Sequence, residues 1–309
     1  MANYITIDGG TTNTRVNLVC DKTIVATKKL GVGSSGKDTE ALKSAIQMAV
    51  AALLSENRLL EADIECILAS GMITSEYGLC SLPHISLPTN AEKLHNAMHK
   101  TVIGDVSPIP FCFIRGVKKD GSDLDGVDIM RGEETELMGI LKPDMGACLY
   151  VLPGSHSKHV SVDACGAMID LRTMMTGELF AAVMQHTILR HAADFEHNEI
   201  DEAALLNGYA YAKKRGVNEA LFKTRILSTV FGGTKEQCYS FLLGCVLCDE
   251  VEAILKAKEE TVVLGGQKQF RTALTLLLLQ KSDKKIVTLT DAEVERSTAL
   301  GAIRIFELC

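Results

Sequence analysis

Two short glycine-and-hydroxyl turns, one in each half of the chain, constrain this sequence more than any other feature. The first is Asp8-Gly9-Gly10-Thr11-Thr12-Asn13-Thr14-Arg15, which follows a β-prone run over residues 4–8. The second is Pro153-Gly154-Ser155-His156-Ser157-Lys158, which follows a similar run over 149–152. Each opens a meander: strands are expected at 16–20 and 24–27 after the first turn, and at 158–162 and 167–171 after the second. Helices and single strands then take over. A helix is expected from Asp38, its N-cap, because Leu42, Ala45, Ile46, Ala49, Val50, Leu53 and Leu54 recur with the helical period. Strands at 64–70 and 111–114 and a helix at 133–141 complete the first half. In the second half helices dominate from 176 to about 255, followed by strands at 261–264 and 286–289 and a last helix at 293–308. Two passes of the same order predict an α/β protein of two related domains, residues 1–142 and 143–309, with a ligand cleft between them.

Composition narrows the function. At 309 residues with 47% hydrophobic and 23% charged side chains, the chain has enough apolar material for two cores. A formal charge of −7 argues against a nucleic-acid partner. The first residues enter a strand without a basic and then apolar leader, and the longest apolar runs are too short to span a bilayer. A cytoplasmic, membrane-free protein is therefore expected. The ten cysteines form no framework, and the spacing of Cys245 and Cys248 within an apolar helical stretch reads as core. The Asp-rich loop over 120–128 lacks calcium-loop spacing and reads as a solvated turn.

The turns suit phosphate. Gly9 and Gly10, and again Gly154, let backbone N–H groups approach an anion, while Thr11, Thr12, Asn13, Ser155 and Ser157 supply hydroxyl and amide donors. Arg15, His156 and Lys158 add polar or cationic groups. Asp8 can hold Mg²⁺, which prefers one or two carboxylates plus phosphate and water. An ordinary glycine-rich hairpin explains the same residues. No buried acid is visible as a partner for the serine and histidine of the second turn, so a hydrolase triad is not expected. Gly265 and Gly266, at a strand-to-helix junction, allow a flat ligand such as adenosine to lie against the backbone. Met130-Arg131-Gly132-Glu133-Glu134-Thr135-Glu136 crowds acids at a helix start. That is either favourable charge placement or a general base near a substrate hydroxyl. Arg131, and Arg172 with Thr176 in a second polar helix start, suit a bidentate grip on a carboxylate, or else an interdomain ion pair.

Three long and unusual stretches, MRGEETELMG at 130–139, LYVLPGSHSKHV at 149–160 and LRTMMTGEL at 171–179, carry a resemblance. The chain resembles the sugar kinases of the actin, hexokinase and heat-shock ATPase superfamily. It is most similar to the 2-dehydro-3-deoxygalactonokinase family, and the resemblance covers essentially the whole sequence. It implies two actin-like (ribonuclease H-like) domains, ATP and Mg²⁺ as cofactors, and a small sugar acid phosphorylated on its 6-hydroxyl. It assigns the first turn and the second turn to phosphate, and residues 262–267 to adenosine. Residues 298–302 match a connecting helix of the second domain. It implies Glu133 as catalytic base, with Glu134 as rival, and a sugar-contacting loop that includes Thr74 and Ser75. A kinase for another keto-deoxy sugar acid or an amino sugar stays open, as does a nucleotide-dependent scaffold or sensor. So does the oligomeric state, a homodimer included.

Overall fold

The computed structural model describes residues 2–34, 39–142, 145–193 and 199–308. Asp38, the expected N-cap, lies outside them. The chain divides into two compact units, Met1–Gly146 with Val162–Leu171 and Thr290–Cys309, and Ala147–Ser161 with Arg172–Leu289.

Unit 1 begins with β1 (Asn3–Gly9), β2 (Thr14–Cys20) and β3 (Thr23–Leu30), then α1 (Thr39–Glu56) and β4 (Cys66–Gly71). A stretch of short elements follows: β5 (Ile85–Ser86), α2 (Ala91–Asn96), β6 (His99–Ile103), β7 (Ser107–Phe113), β8 (Val117–Lys119) and β9 (Asp128–Met130). The eight-residue helix α3 (Glu133–Ile140) follows. The main sheet has the order β3-β2-β1-β4-β7-β6, and β5, β8 and β9 form a small second sheet. Strands β1, β4 and β7 run parallel, so their carboxyl ends share one edge. Ile5, Ile7, Leu18, Ile67, Phe111 and Phe113 of this sheet bury against Leu42, Ile46, Val50 and Leu53 of α1, as the helical period requires.

Unit 2 contains β10 (Cys148–Leu152), β11 (Ser157–Val162) short of its last residue, the end of β12 (Met168–Met174), α4 (Thr176–His186), α5 (Glu202–Arg215), α6 (Val217–Thr229), α7 (Lys235–Val246) and α8 (Cys248–Lys256). It ends with β13 (Thr261–Leu264), α9 (Lys268–Lys281) and β14 (Lys285–Thr288). Its sheet has the order β12-β11-β10-β13-β14, with β10, β13 and β14 parallel. The hairpin strands followed by parallel additions repeat the order of unit 1. The fold class is thus the expected α/β arrangement of two actin-like domains. Cys245 and Cys248 are free and buried among the helices of this core. Among the described residues, no helix is long and apolar enough to cross a membrane.

The last helix, α10 (Asp291–Glu307), departs from a simple cut at residue 142 because it belongs to unit 1. The reason is steric. A Cβ on Gly139 of α3 would collide with the Ser297 carbonyl, and one on Gly301 of α10 with the Thr135 carbonyl. Two missing side chains let the helix backbones touch, and Arg304 of α10 donates to the carbonyls of Met138 and Leu141. Replacing Gly301 with Val should force these helices apart and cost about 1–3 kcal/mol, the range for overpacked interiors. Urea unfolding should show a lower midpoint with an unchanged slope.

Candidate active site

Asp8 lies next to last in β1, half-buried, with Arg15 directly across the β1–β2 pair and Ser70 beside it on β4. The turn beyond it closes through Gly10 N–H to the Asn13 carbonyl at 2.8 Å. Thr11, Thr12 and Asn13 are left on the surface, while Thr14 turns inward and donates to the Val32 carbonyl. Arg15 reaches the Glu295 carbonyl of α10. Burial raises the Asp8 carboxyl above its ordinary range; Arg15 opposes that shift and Glu133 adds to it. Asp8 and Glu133 therefore sit close enough to feel each other's charge.

The start of α3 separates the two candidate bases. Gly132 caps the helix at φ 113°, a conformation that any side chain would strain. Glu134 folds back so that both carboxyl oxygens accept from Gly132 N–H, at 2.9 and 2.8 Å, and Thr135 donates a third bond at 3.1 Å. It is completely buried. Burial first, and the neighbouring Glu133 second, push its pKa up to about 8, so it is largely a neutral acid at pH 7. Glu133 is half-buried, and its carboxylate accepts from the Arg131 backbone N–H at 3.0 Å. Of the two acids, only Glu133 has access to solvent.

Several residues expected at the substrate are engaged inside the protein. Arg131 Nη1 donates to the Thr74 carbonyl and hydroxyl, at 2.7 and 2.6 Å. Its Nη2 donates to the Leu82 carbonyl and lies 3.3 Å from His84 Nδ1. Thr74 is fully buried and donates to the Gly71 carbonyl; Ser75 donates to Met72. These groups fasten the loop after β4 to the start of α3. Burial, with Arg131 and Lys118 adding to it, lowers His84 to about 4 and keeps its ring neutral.

In unit 2, Gly154, Ser155 and His156 form the turn between β10 and β11, with Ser155 and His156 exposed. His156 Nε2 lies 2.7 Å from Glu178 in the first turn of α4, and Glu178 N–H donates to the Ser155 carbonyl. The Gly265–Gly266 turn rests on the same hairpin: Gly265 N–H donates to Val151 and Gln267 N–H to Pro153. Arg271 holds the Gly266 carbonyl at 2.7 Å. The second phosphate candidate and the adenosine candidate are thus adjacent. Lys158 is buried and leans toward the His156 carbonyl, whereas Arg172 is exposed on β12.

A buried acid that sequence reasoning missed underlies this hairpin. Glu250 of α8 accepts from Ser157 at 2.5 Å and from Thr176 at 2.6 Å, and lies 3.2 Å from His159 Nε2. Burial raises its pKa, but these donors outweigh that effect and hold it below the ordinary value. The arrangement is no hydrolase triad, because the carboxylate bonds serine and histidine separately and the group is sealed from solvent. Thr176, expected at the substrate, is one of its donors.

The donor chemistry at Asp8 fits Mg²⁺, a hard cation served by one or two carboxylates with phosphate and water. Among the described residues, no group of three or more His, Cys, Asp or Glu side chains forms a separate metal cage. The loop over 120–128 is a turn closed by Asp123 on Gly126 N–H.

Comparison with known proteins matches residues 8–302 to the family model of 2-keto-3-deoxy-galactonokinase. The 2-dehydro-3-deoxygalactonokinase of Escherichia coli (strain K12) is 28% identical over 264 residues, covering 82% of this chain and 80% of that protein. Among solved structures, a candidate 2-dehydro-3-deoxygalactonokinase from Sinorhizobium meliloti superposes with a TM-score of 0.78 at 22% identity, over 99% of this chain and 98% of the other. The activator of 2-hydroxyisocaproyl-CoA dehydratase from Clostridium difficile, with bound ADPNP, reaches 0.53 at 13% identity, over 99% and 95%. The last two likenesses establish the fold alone.

Two measurements test these assignments. The stability that Glu134 contributes is present below its unfolded value near 4.5 and is lost as pH rises through about 8. Glu134→Gln has no proton to lose, so its stability relative to wild type should improve by roughly 2–5 kcal/mol between pH 5 and 9 in urea titrations. Glu250→Ala strands three buried groups and should cost at least ~3 kcal/mol, read from thermal unfolding.

Proposed function

The chain belongs to the 2-keto-3-deoxy-galactonokinase family, and from that membership we propose that it transfers the γ-phosphoryl group of ATP to the 6-hydroxyl of 2-dehydro-3-deoxy-D-galactonate. That it is a kinase follows from the family. The substrate is supported by the name of the Escherichia coli relative, and the 6-hydroxyl is the position that the family resemblance implies. The observation that carries the chemistry is the pairing of a half-buried Glu133 with Asp8, beside a second acid that is sealed and neutral.

In this reading, unit 2 holds the nucleotide. The Gly154–His156 turn offers backbone N–H groups to phosphate, and the Gly265–Gly266 turn offers a side-chain-free surface to adenosine. In unit 1, the N–H groups and hydroxyls of Thr11 and Thr12 and the Asn13 amide are the donors suited to phosphate, and Asp8 would hold Mg²⁺. When bound, the cation neutralises charge on the transferring phosphoryl group. Glu133 accepts the hydrogen bond of the sugar hydroxyl and takes its proton as the new O–P bond forms and the bond from the γ-phosphorus to the β–γ bridging oxygen breaks, releasing ADP. Arg131 shapes the substrate loop by clamping Thr74. Most of the rate enhancement comes from positioning and electrostatics, as for phosphoryl transfer generally.

Glu133→Gln should bind ATP normally in calorimetric titration and lose at least ~100-fold in turnover in a coupled ADP-release assay. Turnover within a few-fold of wild type removes Glu133 from this role. ADP release that does not depend on the sugar acid overturns the substrate assignment.

A further inference from the structure

The acid end of the substrate needs a cationic partner, and Arg115 is better placed for it than Arg131. This step rests on the sugar-acid reading above. The acceptor hydroxyl and the carboxylate lie at opposite ends of a six-carbon chain, about 6 Å apart when extended. A residue that handles the carboxylate must therefore stand well away from Glu133. Arg131 does not: its backbone bonds Glu133, and both terminal nitrogens of its side chain are engaged within the protein.

Arg115 meets the requirement. It lies two residues past the Ala69–Phe113 pair, where β7 ends, on the edge shared with Gly71 of β4 and Asp8 of β1. Ligands of open α/β sheets bind outside such carboxyl ends. Two strand spacings separate β1 from β7, about 10 Å, a span that the substrate and two side chains fill. The Arg115 side chain is half-buried, and its buried Nε–H has no hydrogen-bond partner among the described residues. A buried donor left unpaired costs about 1–3 kcal/mol, so a guanidinium held this way calls for an acceptor from outside. Its charge acts on Cys80, which continues the loop that carries Thr74 and Ser75. Two other buried groups on this side lack a partner: the Ser70 hydroxyl, which is uncharged and lies beside Asp8, and His84 Nε2, which faces Gly116, where even a methyl group would not fit.

We propose that Arg115 binds the substrate carboxylate, its Nε–H and one terminal N–H forming a planar fork on the two oxygens. A phosphate would satisfy the same fork, so the test separates the two anions. The probes are 2-dehydro-3-deoxy-D-galactonate, its uncharged 1-carboxamide and ATP, assayed with wild type, Arg115→Gln and Arg115→Lys. Arg115→Gln should raise KM for the acid at least ~30-fold, leave KM for ATP within about twofold, and leave the carboxamide unaffected. Arg115→Lys keeps the charge and loses the fork, so its KM for the acid should fall between those of the other two proteins. Calorimetric binding of the acid without nucleotide should weaken in parallel.

A rise in KM for ATP instead of the acid assigns Arg115 to phosphate and overturns the proposal. Equal losses for acid and carboxamide make it a structural residue and overturn it too. If Arg115→Gln fails to fold, an unchanged KM for the acid in Arg115→Lys overturns it. A wild type that prefers the carboxamide refutes the sugar-acid reading itself, before any variant is compared.

Discussion

The closure of the Glu134 carboxyl onto the Gly132 N–H is the contact from which the unit 1 site is built. It turns the first residue of α3 sharply and seals one acid inside. The preceding acid, Glu133, stays half-buried, and its charge reaches Asp8. The same turn directs Arg131 into the loop after β4, where its guanidinium ties Thr74, Leu82 and His84 together. A neutral carboxyl suits this task. An ionised one in the same position would repel Glu133 at close range and forfeit much of its hydration.

Unit 2 solves a comparable problem with an ionised acid. Glu250 has three donors around it, enough to keep its charge without solvent. One carboxylate joins the second strand of the hairpin to the first residue of α4, and so sets the shape of the turn between them. The contrast between the two acids follows from their neighbours: Glu134 has a like charge beside it, whereas Glu250 has donors only.

Much of the fold was legible in the sequence. Short, continuously apolar runs marked β1, β4, β10 and β13, and glycine with hydroxyl residues marked both turns. In the segment from β5 to β9 only the strand at 111–114, the end of β7, was legible; β5, β8 and β9 span two or three residues, too few for a period to register. The engaged state of Thr74, Thr176 and Arg131 was hidden for another reason. A hydroxyl or a guanidinium reads the same whether its partner is a ligand or a distant carbonyl, and the partners here lie 57 and 74 residues away. Glu250, 93 residues from Ser157, sits in a helix whose pattern distinguishes it from no surface acid. Arg115 shows only an ordinary position after a strand until the register of β4 and β7 is known. The family resemblance supplied the roles that local chemistry left open, and it favoured Glu133 on motif alone, where burial now gives a physical reason.

The pairing of α3 with α10 has a consequence for biosynthesis. Residues 147–289 leave the ribosome before α10 does, so unit 2 can assemble while α3 still lacks the helix against which its glycine face packs. The start of α3 gains this packing only once residues 291–307 have emerged. A chain that stops short of α10 can therefore complete the core of unit 2 and still leave the glycine face of α3 unpacked.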